Sequence, residues 1–85
     1  MGAARTKRDK RLERMRQNPK AVRFEELDTL LLSLGFTKRQ ASSHVGYYHG
    51  AHFVTVVYRT PFVLPVYVKK ALAVIDAVSE EAGNE

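Results

Sequence analysis

Residues 43–59 read SHVGYYHGAHFVTVVYR, and their reading decides the fold. The segment is rich in β-branched and aromatic residues, and its glycines are Gly46 and Gly50. Such runs, bounded by turn residues, read as strands. Gly50-Ala51 suits a two-residue type II′ turn, which takes glycine first. That turn sets a register in which His49 opposes His52, Tyr47 opposes Val54, and Val45 opposes Val56. Side chains alternate along a strand, so these six share one mostly apolar face, the expected core face. The other face carries His44 across from Val57, Gly46 across from Thr55, and Tyr48 across from Phe53. Upstream, Phe36–Gln40 reads as a third strand, so the expected strands are about 36–40, 43–49 and 52–59.

Helix signals flank this sheet. Phe24, Leu27, Leu30, Leu31 and Leu34 recur at helical spacing. Glu25, Glu26 and Asp28 lie in the first turns, where the helix dipole favours negative charge. Gly35 is a natural helix stop, and Phe36 can fold back onto the last turn. After a loop through Thr60–Leu64, Pro65 opens the last helix, at a position where its missing N–H costs nothing. Val68, Ala71, Leu72, Ile75 and Val78 form its apolar stripe, and residues 80–85 read as a polar tail. Tyr58 and Tyr67 read as core or core-edge residues.

The chain has 85 residues and a net charge of +5. Residues 1–20 hold eight basic side chains against two acidic ones, so this segment carries +6 and the remainder −1. A basic arm on a nearly neutral body points to a polyanion or an acidic protein partner, or to a solvated helix. Residues 1–17 have Leu12 and Met15 as their large internal apolar side chains, which suggests a peripheral helix, ordered on binding. Asn18-Pro19 ends it. We therefore divide the chain into a basic arm over 1–19 and a single domain over 20–85. A domain this short buries only about 60% of its unfolded surface, so its core is thin. There is no cysteine, hence no disulfide and no thiolate metal site. No apolar run of membrane-spanning length occurs, and no apolar segment follows the basic start to make a signal peptide. A cytoplasmic location is expected.

His44, His49 and His52 are the three histidines. On this register His44 faces away from the other two, and no carboxylate lies between Arg39 and Phe53, so a zinc site is not expected. Ser43 and His44 are adjacent and point to opposite faces, which excludes a serine–histidine pair between them. Histidine titrates near neutral pH and can act as a general acid or base. An RNA brings its own nucleophile, the ribose 2′-hydroxyl, so one histidine beside cations such as Lys38 and Arg39 is enough for strand cleavage. The competing reading makes His44 an ordinary strand-surface residue.

Three segments resemble HicA-type (YcfA-like) toxins, the mRNA interferases of bacterial and archaeal toxin–antitoxin pairs. NPKAVRFEELDTLLLSLGF (18–36) resembles the family's first helix and its lead-in. RQASSHV (39–45) resembles its glycine–serine–histidine strand motif, and LPVYVKKALAVID (64–76) resembles the last helix in one branch. The resemblance implies an α+β fold of double-stranded-RNA-binding type, α-β-β-β-α. Its three-stranded antiparallel sheet would carry two helices on one face, preceded here by the basic helix or arm. It implies an endoribonuclease acting on mRNA, with His44 as the catalytic residue and a HicB-type antitoxin bound over it. Since no carboxylates cluster in the strands around His44, cleavage is expected to need no metal, and no cofactor is expected. The accompanying RNA-contact candidates are Lys38, Arg39, Ser43 and Tyr48, with Arg5, Lys7, Arg8, Lys10 and Arg11 on the arm. Tyr48 and Phe53 could stack on unpaired bases or form the apolar patch that an antitoxin covers. Two departures stand out: Ser42 occupies a position usually held by glycine, and Phe62 follows Pro61 where many members have histidine. The alternative function is an RNA-binding module without catalysis, or an inactive HicA-like protein.

Overall fold

The computed structural model describes residues 6–83. Helix α1 (Lys7–Gln17) leads through a short 3-10 turn at Pro19–Ala21 into α2 (Phe24–Ser33). Strands β1 (Thr37–Ala41), β2 (His44–His49) and β3 (His52–Val57) follow, and α3 (Pro65–Gly83) closes the chain. The strands form one antiparallel sheet in the order β1-β2-β3. The fold is thus α+β, an α-β-β-β-α unit preceded by an additional helix.

The β2–β3 register is the one the hairpin turn dictates, from His44 opposite Val57 to His49 opposite His52. Gly50 has φ 59° while Ala51 is not among the positive-φ residues, the sign pattern of a type II′ turn. The other hairpin also has a two-residue connection, Ser42-Ser43, between the paired residues Ala41 and His44. Ser42 there has φ 60°, a left-handed conformation that glycine adopts freely and serine does not.

Helix α2 begins where Glu26 Oε1 accepts the Arg23 backbone N–H at 3.1 Å. It ends in a Schellman motif: Gly35 N donates to Leu32 O and Phe36 N to Leu31 O, each at 3.1 Å. Gly35 has φ 94°, as this stop requires. Phe36, expected to start the first strand, is instead the buried residue that closes the motif, and β1 begins one residue later.

One face of the sheet is the core. Val45, Tyr47, Val54 and Val56 are buried there against Leu27, Leu30 and Leu31 of α2 and Val68, Ala71, Leu72 and Ile75 of α3. Tyr58 lies edge-on to Phe24, with ring centroids 4.9 Å apart, and so seals the margin of this core. Helix α3 runs to Gly83, into the expected polar tail, because Glu and Ala favour helix without needing a buried face.

Helix α1 opens with a capping box: Asp9 N donates to Thr6 Oγ1 at 3.1 Å, and Thr6 N to Asp9 Oδ2 at 3.3 Å. Its two apolar residues anchor it, Met15 buried at 1% exposure and Leu12 packed against the core cluster. It lies on α2, α3 and the 3-10 turn. Arg16 pairs with Asp76 of α3, and Arg14 pairs with Glu26 of α2. Among the described residues, no helix is long and apolar enough to cross a membrane.

Candidate functional site

The helices cover one face of the sheet and leave the other open. The strand registers order that open face into a three-by-three grid. Ala41, His44 and Val57 form the first row; Arg39, Gly46 and Thr55 the second; Thr37, Tyr48 and Phe53 the third. The middle of the grid is a shallow depression of about 510 Å³, whose lining includes Arg39, His44, Gly46, Tyr48, Phe53 and Thr55. His44, Arg39 and Tyr48 are therefore gathered in one place, with the His44 and Tyr48 side chains exposed to solvent.

Backbone hydrogen bonding fixes the His44 end. The Tyr58 N–H donates to Ser43 O at 2.8 Å, which carries the β2–β3 pairing one residue beyond His44. Ser43 is exposed and belongs to the turn at this end. His44 thus projects from a strand start held on one side by the Ser42-Ser43 turn and on the other by β3.

Lys38 is not part of this group. It opposes Tyr47, so it shares the core-facing side of the sheet. Its Nζ lies 3.0 Å from Asp28 Oδ1 and 6.0 Å from the centroid of the Phe24 ring. Strand alternation separates it from Arg39, which remains exposed on the open face. Among the arm candidates, Arg5 lies outside the described residues. Lys7, Arg8, Lys10 and Arg11 sit on α1, which packs on the helical layer rather than on the open face. Arg8 Nη1 donates to Ser33 O at 3.2 Å, so it caps the C-terminal end of α2, where the helix dipole favours a cation.

The histidines divide as the alternation requires. His49 is half-buried against Phe36, with ring centroids 5.1 Å apart. His52 Nε2 lies 3.0 Å from Glu81 Oε2, near enough for an ion pair when the imidazole is protonated but without hydrogen-bond alignment. Both belong to the helical side, away from His44. Among the described residues, no three His, Asp or Glu side chains are placed to hold one metal ion.

Two features of this face are missing from the candidate residues read from sequence. Gly46 lies directly beneath the aromatic pair: a Cβ built there would come 3.1 Å from the Tyr48 ring and 3.3 Å from the Phe53 ring. Thr55 supplies the neighbouring wall. The available signal is the glycine itself, since a strand-interior glycine marks a bulge, a bend or a close approach. Phe53, singled out for its aromatic character, proves to be in contact with Tyr48, with ring centroids 4.8 Å apart.

No protein-family model, no curated protein and no solved structure matches this chain.

Proposed function

We propose that this chain is a HicA-type toxin ribonuclease that cleaves mRNA through His44 and is held silent by a HicB-type antitoxin. The supporting observation is that His44 is exposed on the open face of the sheet and lines the same depression as Arg39 and Tyr48. The α-β-β-β-α order is compatible with a double-stranded-RNA-binding-like fold. Fold alone does not assign function, so the reading rests on the site and on the resemblance of residues 18–36, 39–45 and 64–76.

The chemistry uses the substrate's own nucleophile. His44 takes the proton of a ribose 2′-hydroxyl, and the 2′-oxygen attacks the adjacent phosphorus. The bond from phosphorus to the 5′-oxygen breaks, and water protonates the departing oxygen. Products carry a 2′,3′-cyclic phosphate and a 5′-hydroxyl. Holding the nucleophile within the substrate removes the entropy of recruiting it. Arg39 offsets the charge that develops on the phosphate. A two-metal route would need clustered carboxylates. Those of this chain lie on α1, α2 and α3 or at residue 85, none in the strands around His44. An mRNA substrate places the activity in the cytoplasm.

Induced expression of the native chain should arrest growth and deplete bulk mRNA, while His44→Ala abolishes both and keeps the fold. Removing a strand-surface side chain costs at most about 0.5 kcal/mol. A 2′-deoxy sugar at the mapped cut should block cleavage there, and excess chelator should not affect cleavage of unmodified RNA. Undiminished cleavage by folded His44→Ala sinks the assignment. RNA binding without cleavage by the native chain would leave a binding module in its place.

A further inference from the structure

We propose that Tyr48 and Phe53 form a stacking platform for a single unpaired base, and that Gly46 is the residue that makes the platform. The identity of the ligand as RNA rests on the ribonuclease reading above.

The two rings face each other across β2 and β3 on the open side of the sheet. Their centroids are 4.8 Å apart and their planes are inclined by 37°. Although each covers the other, Tyr48 remains 39% and Phe53 51% exposed. The hydrophobic core lies on the opposite face of the sheet, so these rings are not needed to build it.

Gly46 explains their pose. Its φ lies outside the left-handed region, so its backbone does not call for glycine. The space above it is tight, and glycine lets the rings settle there without displacement. A Cβ would meet Tyr48 Cε1 and Oη at 3.1 Å and Phe53 Cε1 at 3.3 Å, closer than most real Cβ contacts. The Tyr48 ring therefore leans back along β2 over Gly46, towards His44. Strand rise places Gly46 about 7 Å from His44 along the chain, roughly the span of one extended nucleotide. A base on the rings would then belong to a nucleotide next to the phosphate that His44 addresses.

Every base offers a π-face, so such a platform tolerates sequence and favours the larger faces of purines. A base inside a duplex is already stacked on its neighbours and cannot present that face. The platform accordingly selects RNA that is unpaired at the cut. An apolar side chain from a partner protein is the rival occupant, and the test separates the two.

The probe is a short single-stranded oligoribonucleotide with one 2-aminopurine, bound to the His44→Ala chain so that it is not cut. Binding should quench the 2-aminopurine fluorescence, whereas the same probe annealed to its complement should not be quenched further. Phe53→Ala should weaken binding of the intact probe by about fivefold to a hundredfold, and Gly46→Ala, which displaces the rings without removing them, should weaken it measurably but less. A probe with an abasic site in place of the 2-aminopurine should bind all three chains equally weakly. Circular dichroism and thermal melting confirm that the variants are folded; if Gly46→Ala does not fold, the exposed Phe53 carries the test. Absence of quenching overturns the platform, as do equal affinities of parent and variants for the intact probe. Loss of partner-protein binding in the variants, with RNA binding unchanged, assigns the rings to a protein and also overturns it. Quenching that persists although the native chain cuts no RNA would leave the platform standing and remove the ribonuclease reading.

Discussion

Tyr47 Oη donates a 2.6 Å hydrogen bond to Asp28 Oδ1, which also lies 3.0 Å from Lys38 Nζ. One tyrosine of the adjacent pair thus ties the sheet to α2, while Tyr48 faces solvent. Tyr47 is fully buried, so its hydroxyl has no ready substitute for this partner. Tyr47→Phe should destabilise the fold by about 1.5–3 kcal/mol, the range for a hydrogen bond to a charged group. Urea titration measures this, and an unchanged midpoint would show that Lys38 alone satisfies Asp28.

The same hydrogen bond predicts an alkaline limb. Burial first, then the hydrogen bond to Asp28 and its charge, raise the Tyr47 phenol above its ordinary value. A phenol whose folded pKa is raised adds stability that is fully present below the unfolded pKa, about 10. That contribution declines as pH rises beyond this value, because the unfolded chain releases the proton first. The native chain should therefore weaken above about pH 10, and Tyr47→Phe should flatten that decline. Melting temperatures from pH 8 to 11 provide the comparison; parallel curves would contradict it.

Ser42 holds φ 60° in the turn before His44. A left-handed conformation costs an ordinary L-residue about 1–2 kcal/mol, part of which glycine returns through its freer unfolded chain. Ser42→Gly should stabilise the fold by about 0.5–1 kcal/mol. For a domain of this size the melting temperature should rise by about 2–8 °C. A lower melting temperature would mean that the serine side chain makes an interaction of greater value.

Met15 and Arg16 are neighbours in α1 with unequal weight. Met15→Ala should cost about 2–5 kcal/mol, because it empties a buried site. Arg16→Ala should cost less than about 1 kcal/mol, since its pair with Asp76 is solvent-exposed on both sides. Chemical denaturation of the two variants tests the ranking. Equal, small losses would show that α1 is not integral to the core.

The location of α1 predicts how its charge enters RNA binding. Exchanging Lys7, Lys10 and Arg11 for glutamine should leave the salt dependence of a short oligonucleotide on the open face unchanged. With RNA long enough to reach the helical layer, the slope of log affinity against log salt should flatten by about 0.7 for each phosphate that is no longer neutralised. A flattened slope with the short oligonucleotide would place these cations beside His44.

Local chemistry made much of this fold readable. Gly50-Ala51 and the two-residue period of residues 43–59 specify the hairpin register, because a slip of one residue would exchange its apolar and open faces. Leu-rich helical spacing ended by Gly35, and Pro65 ahead of an apolar stripe, likewise mark α2 and the start of α3. His44 follows from the same alternation, since it lies an odd number of residues from the core residues Val45 and Tyr47. The tertiary structure decided what depends on partners distant in the chain. Lys38 and Arg39 are neighbours in sequence, yet β1 pairing turns one towards Asp28 and leaves the other beside His44's depression. Met15 is one of two large apolar residues in a charged helix, and only the packing of α1 on α2, α3 and the 3-10 turn makes it core. Gly46 is a glycine without a turn, and only the rings folded above it reveal why a side chain there would be crowded. Periodicity and turn conformation are set by neighbouring residues, whereas burial, charge pairing and close approach are set by whatever the folded chain brings alongside.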